Sequence, residues 1–207
     1  MDDGMRRAVF LDRDGVLSEE VFYARTGRWE APLAPEDLGL CKGAGSALRR
    51  LAGAGYPLFI VSNQGAFARG NTTLAVLWAV HRRLVGLFAL EGVHFEDCLY
   101  SFSHPEGVVP YFSGHSLERK PGPYLLLVAA ARYDIDTKRS WMVGDQDTDM
   151  ACGLAAGART ILVQNPHAGA RASASSPDFR AGDLGEAAAV ILREDAAQAA
   201  TTPAGGL

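Results

Sequence analysis

Val9-Phe10-Leu11-Asp12-Arg13-Asp14-Gly15-Val16 joins an apolar run to two carboxylates one residue apart, with a glycine directly after them. A buried strand ending this way carries its acids to the rim of a sheet, where the chain turns and a small ligand can approach. One acid can act as a nucleophile while the other moves protons, and the pair can hold a divalent cation. Taken alone, the same residues also suit an ordinary turn, because aspartate and glycine are common turn formers.

Outward from that stretch, short apolar runs alternate with helical patterns. Residues 8–11 predict a strand, 44–54 a helix closed by Gly55, 57–61 a second strand and 73–90 a long amphipathic helix. A third strand is predicted over 98–102, and Pro121 suits the first turn of a helix running to about Tyr133. Residues 141–143 predict a fourth strand, 147–156 a helix ended by Gly157, and 160–163 a fifth strand. This alternation predicts an α/β fold, a doubly wound parallel sheet covered by helices on both faces. Two segments break the rhythm. Residues 19–40 read as an irregular flap beside the acid pair, and 104–118 as a Gly/Pro/Ser-containing loop. A last helix is predicted over 184–193, so residues 1–193 form a single domain and 194–207 a disordered tail.

Composition narrows the function. At 207 residues, with 48% hydrophobic and 21% charged residues, the chain can bury one good core. A net charge of −4 without a basic stripe argues against a nucleic-acid surface. Cys41, Cys98 and Cys152 are odd in number and widely spaced, which excludes a disulfide framework and favours a reducing cytoplasm. No apolar run approaches the ~20 residues that span a bilayer. No signal-peptide pattern precedes Asp12, so a cytoplasmic location without a membrane partner is expected.

Three of the predicted strands end in polar clusters: Asp12-Arg13-Asp14-Gly15, Ser62-Asn63-Gln64-Gly65 and Gly144-Asp145-Gln146-Asp147-Thr148-Asp149. Ligands of doubly wound sheets sit at the carboxyl ends of the strands, so these groups should face one crevice. Each has a plainer reading: Asp147 as a helix cap, Ser62-Asn63 as the start of a loop, Lys120 as a surface lysine. Independent turns have no reason to supply a paired acid, a hydroxyl with an amide, a lysine and a third acid in that order.

In order and spacing these elements resemble the haloacid dehalogenase (HAD) superfamily of phosphohydrolases. Asp12-Arg13-Asp14-Gly15 matches its first motif, Ser62 the second, Lys120 the third, and Gly144-Asp145-x-x-x-Asp149 the fourth. Ala68-Arg69-Gly70 and Arg119-Lys120-Pro121 further resemble the capless branch that holds heptose bisphosphate and histidinol-phosphate phosphatases. The resemblance implies Asp12 as the nucleophile that becomes an aspartyl-phosphate, Asp14 as general acid and base, and Ser62 and Lys120 as holders of the phosphoryl oxygens. It implies Mg²⁺ held by Asp12, the Asp14 backbone carbonyl and Asp145, with Asp149 bracing Lys120 or an outer water rather than touching the metal. Arg13, Asn63, Gln64 and Arg119 are the expected substrate contacts.

The chain departs from that branch in its zinc loop and in a flap over 19–40 that is longer than the branch's usual short connection. The branch carries a zinc loop between its second and third motifs, whereas this chain has Ser101-Phe102-Ser103-His104-Pro105 and Ser116-Leu117-Glu118-Arg119-Lys120 there. Serine hydroxyls do not replace thiolates, so no zinc is expected. Tyr111 and Phe112 are expected to bury themselves in the metal's place. His115 reads as a surface residue of that loop. In the flap, Phe22, Tyr23, Arg25, Arg28 and Trp29 offer aromatic and cationic groups, with Trp29 read as packing.

The expected activity is Mg²⁺-dependent hydrolysis of a small phosphate monoester, on the resemblance a sugar phosphate such as D-glycero-D-manno-heptose 1,7-bisphosphate. Histidinol phosphate and the 3′-phosphate of a polynucleotide stay open as substrates, as does a catalytically quiet binding protein of the same fold. Retention of Asp12, Asp14, Ser62, Lys120 and Asp145 speaks against the last. The sequence does not fix the oligomeric state.

Overall fold

The fold rests on one short strand, β1 (Val9–Leu11), whose residues are all buried. A computed structural model describes residues 5–167 and 176–201 of the chain. After β1 come a hairpin of β2 (Val21–Tyr23) and β3 (Arg28–Glu30), helix α1 (Ala44–Gly53) and β4 (Leu58–Asn63). Then follow α2 (Leu74–Leu90), β5 (Asp97–Ser101), α3 (Tyr124–Tyr133), β6 (Trp141–Gly144), α4 (Asp147–Ala155), β7 (Arg159–Val163), β8 (Phe179–Ala181) and α5 (Leu184–Thr201).

Six strands form a parallel sheet in the order β5-β4-β1-β6-β7-β8. Val9, Phe10 and Leu11 pair with Leu58, Phe59 and Ile60 on one side, and with Trp141, Met142 and Val143 on the other. Alternation along these strands divides the core. Val9, Leu11, Leu58, Ile60, Trp141 and Val143 face the layer of α1, α2 and α5. Ala8, Phe10, Phe59, Val61 and Met142 face α3 and α4, where Phe10 and Phe59 stack with centroids 5.3 Å apart. Strands buried on both faces must read as continuous apolar runs, which is how 8–11 and 57–61 read in the sequence. The expected doubly wound α/β sheet is therefore present.

From β1 the chain first adds β4 and β5 on one side, then returns to add β6, β7 and β8 on the other. The strand order thus reverses between β1 and β6, and a crevice opens at their carboxyl ends. Asp12 follows β1 there and Asp145 follows β6.

Four expectations need correction. The flap over 19–40 is built rather than irregular: β2 and β3 pair antiparallel, and its base is closed by Glu19 N–H to Gly39 O at 3.0 Å and Cys41 N–H to Leu17 O at 3.0 Å. Inside it the Tyr23 hydroxyl donates to Asp37 and accepts from Leu33 N–H. Helix α3 begins at Tyr124 rather than Pro121, because Lys120 is drawn into the interior and the chain turns from Arg119 to Gly122 before the helix can start. The tail expected over 194–207 is helical as far as Thr201: buried Asp195 takes the Tyr56 hydroxyl and pairs with Arg7 at 2.6 Å. Residues 202–207 lie outside the described residues. In the 104–118 loop Tyr111 is fully exposed, and only Phe112 packs, edge-on against Phe67 at 4.9 Å.

That loop is tied down by its backbone. Val108 and Val109 donate to Ala68 O at 2.7 and 3.1 Å, and His104 and Gly114 cross-link the turn through Phe112 O and His104 O. The edge strand β8, with its middle residue exposed, has no counterpart among the predicted elements. No helix among the described residues is long and apolar enough to cross a membrane.

Candidate active site

Strand β1 delivers Asp12 to the crevice and holds it by one oxygen. Asp12 Oδ1 accepts from Arg13 N–H at 2.7 Å and from Lys120 Nζ at 2.8 Å. Lys120 is 3% exposed and spends its three donors on Asp12, on Asp149 Oδ1 at 2.6 Å and on Val61 O at 2.7 Å. Burial alone would lower its pKa, but the two carboxylates raise it, so the ammonium stays charged. Asn63 fixes the backbone that carries Lys120: its Oδ1 accepts from Lys120 N–H at 3.0 Å and its Nδ2 donates to Lys120 O at 3.1 Å.

Asp14 is gripped by three donors. Arg13 Nε lies 2.9 Å from Oδ1, Ser18 Oγ 3.0 Å from Oδ1, and Gln64 Nε2 2.8 Å from Oδ2. Gln64 Nε2 also donates to Ser62 Oγ at 3.0 Å. Ser62 accepts that bond, so its own hydroxyl proton is free to donate to a ligand in the cavity it lines.

Asp145 follows Gly144 at the end of β6, and Asp149 sits in the first turn of α4. A Cβ at position 144 would fall 2.2 Å from the Asp149 Cβ, so only glycine lets Asp149 fold back under the strand. There Asp149 Oδ2 accepts from Gln146 N–H at 3.0 Å, and Gln146 rather than Asp147 takes the N-cap place. Asp12, Asp145 and Asp149 each offer an oxygen within 4.8 Å of the others. Burial, then the charges of Asp12 and Asp149, push the Asp145 carboxyl well above the usual carboxylate range. Its Oδ1 is buried and has no hydrogen-bond partner. A cluster of hard oxygen donors with an unpartnered, crowded carboxylate is what a divalent cation relieves, and the residues fit Mg²⁺.

Most of the expected site residues meet in one cavity of about 670 Å³, within the range of small-ligand pockets. Asp12, Asp14, Ser62, Asn63, Arg119, Lys120, Asp145 and Asp149 line it. Two expected substrate contacts do not. Arg13 is 1% exposed and Gln64 2%, and both turn their polar groups onto Asp14 from behind. The charge of Arg13, an expected substrate contact, is absorbed by Asp14, with the guanidinium over the ring of Tyr100.

The cavity also gathers groups outside the expected site residues. Arg28 and Trp29 reach it from the flap, and Arg69 from the turn after β4. Trp29 is 44% exposed and stacks on His167, so it packs as expected but at the cavity mouth. Glu20 and Asn165 were not expected at the site. Asn165 lies just past β7, where the strand-end rule that found Asp12 and Asp145 would have found it too.

Residues 117–187 match a HAD-hydrolase-like family model. The D-glycero-D-manno-heptose-1,7-bisphosphate 7-phosphatase of Thermosynechococcus vestitus is 40% identical over 191 residues, covering 88% of this chain and 93% of the relative. Among solved structures, a HAD-like phosphatase from Mesorhizobium loti superposes with a TM-score of 0.76 at 30% identity, covering 90% of this chain and 86% of its own. D,D-heptose 1,7-bisphosphate phosphatase from B. bronchiseptica, complexed with magnesium and phosphate, gives 0.74 at 25% identity, covering 91% and 99%.

Proposed function

The chain belongs to the HAD-like phosphatases, among the heptose-1,7-bisphosphate 7-phosphatases, and on that premise we propose that it removes one phosphate from a small sugar bisphosphate, with Asp12 as nucleophile. The observation that carries the proposal is the meeting of Asp12, Asp14, Ser62, Lys120 and Asp145 in one cavity at the strand-order reversal.

Each residue has a task its contacts allow. Lys120 and Arg13 N–H hold Asp12 by Oδ1, which keeps the carboxylate in one orientation for attack on phosphorus. The new bond joins an Asp12 oxygen to phosphorus as the bond from phosphorus to the sugar oxygen breaks. Asp14 gives its proton to that leaving oxygen. It then takes a proton from the water that attacks phosphorus, and the bond to Asp12 breaks to release phosphate. Ser62 donates to a phosphoryl oxygen while Gln64 holds its hydroxyl in place. Mg²⁺, held by Asp12, Asp145 and the Asp14 carbonyl, would offset charge between the nucleophile and the phosphate. Asp149 keeps Lys120 in place rather than serving the cation.

The cationic side of the cavity supports a second anionic group on the substrate. Burial and the neighbouring Arg69 lower the pKa of Arg119, so two guanidiniums crowd each other where an anion would relieve them. Arg28 adds a third from the flap. Histidinol phosphate offers no second phosphate for these groups, which favours the bisphosphate.

Phosphate release with Mg²⁺ from D-glycero-D-manno-heptose 1,7-bisphosphate, histidinol phosphate and a 3′-phosphorylated oligonucleotide tests the reading. The highest kcat/KM is expected for the heptose bisphosphate, and Asp12→Asn should fall to background. Arg69→Ala and Arg119→Ala should raise KM for the bisphosphate far more than for a simple monoester. Equal rates on all three substrates would reject the substrate reading, and undiminished activity in Asp12→Asn would reject the nucleophile.

A further inference from the structure

Asn165 touches three parts of the molecule at once. Its Nδ2 donates to Asp145 Oδ2 at 2.7 Å and to Glu20 Oε2 at 3.1 Å, and its Oδ1 accepts from His167 N–H at 2.9 Å. Glu20 directly precedes β2, where the flap begins. Trp29, on β3, stacks on the His167 ring with centroids 3.6 Å apart and planes 10° from parallel. Glu20 and Trp29 line the active-site cavity and also a neighbouring one that reaches Asn165 and His167.

The space for this contact is made by the first motif. Gly15, at φ +83°, lies against it: a Cβ there would fall 2.4 Å from Asp145 Oδ2 and 2.6 Å from Asn165 Nδ2. The Gly15 position therefore serves the Asp145–Asn165 contact as well as the turn after β1. Asp145 Oδ2 takes a second bond, from Gln146 Nε2 at 3.0 Å, while buried Oδ1 takes none. Two donors on one oxygen and none on the other set the rotation of the carboxylate.

The amide suits the place chemically. Its two N–H bonds point at two carboxylates, Asp145 and Glu20, that would otherwise meet as bare like charges. It is neutral, so it organises them without adding charge beside the acid cluster.

We propose that Asn165 is a positioning residue that couples the flap to the cation-holding carboxylate: it turns Asp145 so that Oδ1 faces the acid cluster, and it anchors the flap through Glu20 and His167. The proposal rests on Asp145 holding Mg²⁺, and its test separates the two. Outer partners of metal-holding side chains typically alter metal affinity by about 10–100-fold. A movable element that biases such a partner typically contributes about 0.5–2 kcal/mol, or about 2–30-fold.

Isothermal calorimetry of Mg²⁺ alone with the full chain, alongside thermal melts in metal-free buffer, makes the test. Asn165→Ala is expected to weaken Mg²⁺ binding by about 10–100-fold with a melt close to that of the parent. Trp29→Ala, a neutral change on the exposed flap, is expected to weaken it by about 2–30-fold, with no further loss on the Asn165→Ala background. Mg²⁺ affinity within about twofold of the parent in either single variant overturns the coupling, as does full additivity in the double variant. If Asn165→Ala does not fold, Trp29→Ala decides alone. Asp145→Asn is the control: unchanged Mg²⁺ binding there overturns the cation reading and the inference with it, whereas loss there with no effect of Asn165→Ala overturns the inference alone.

Discussion

Gln64 Nε2 donates at 2.8 Å to Asp14 and at 3.0 Å to Ser62, so one amide fixes the carboxylate proposed for proton transfer and the hydroxyl proposed for phosphate. Gln64 is buried and does not line the cavity, so it has no path to the substrate except through those two groups. Gln64→Leu keeps the side chain's approximate bulk and removes both bonds. Positioned acid–base catalysis contributes about 10²–10⁴-fold, and a misaligned Asp14 forfeits part of it. The expected result is a fall in kcat of about 10–100-fold with KM changed less than about threefold, read from steady-state rates at saturating Mg²⁺. A rise in KM with kcat preserved would put Gln64 back on the substrate. Residue types in the sequence show which groups a site holds. They do not show whether a polar side chain next to an acid serves the ligand or the acid, because that depends on a rotamer and on the neighbours it meets.

Among the elements, α5 shows the same limit at larger scale. Residues 184–193 are legible as a helix, and the alanine-rich stretch after them reads as a disordered tail. Alanine is also the best helix former, so such a segment stays helical where it is docked. Asp195 is the anchor: 8% exposed, it takes the Tyr56 hydroxyl and pairs with Arg7, whose guanidinium lies over the Tyr56 ring at 4.7 Å. Asp195→Ala leaves the buried Tyr56 hydroxyl without its acceptor, at a cost of about 1–3 kcal/mol. For a chain of this size that is a drop in melting temperature of about 2–12 °C, with phosphatase activity per folded molecule unchanged. The central strands were legible because burial on both faces writes an unbroken apolar run. The hairpin of the flap was not, since its three-residue strands lie half-exposed and carry no period long enough to read.

Across the whole molecule, three carboxylates are driven together at the strand-order reversal, where sheet and helices exclude water from them. The fold gains nothing from this crowding: burial and mutual repulsion raise the pKa of Asp145 and of Asp149, and Lys120 offsets only part of it. The core on both sides of β1 holds the acids together against that repulsion, so the site is strained until a cation arrives. Such a site trades stability for activity. At pH above the ordinary carboxylate range the raised pKa of Asp145 costs the fold stability. Asp145→Asn puts a neutral group of the same shape there, so at neutral pH without metal it should melt above the parent, by about 0.5–2 kcal/mol or about 1–8 °C. Mg²⁺ should raise the melting temperature of the parent, as any ligand of the folded state does, and should leave Asp145→Asn nearly unmoved. The same variant should hydrolyse no phosphate ester. Melting curves with and without Mg²⁺ decide it: a metal-free Asp145→Asn that melts below the parent would mean that the cluster holds the fold together, and that the strain lies elsewhere.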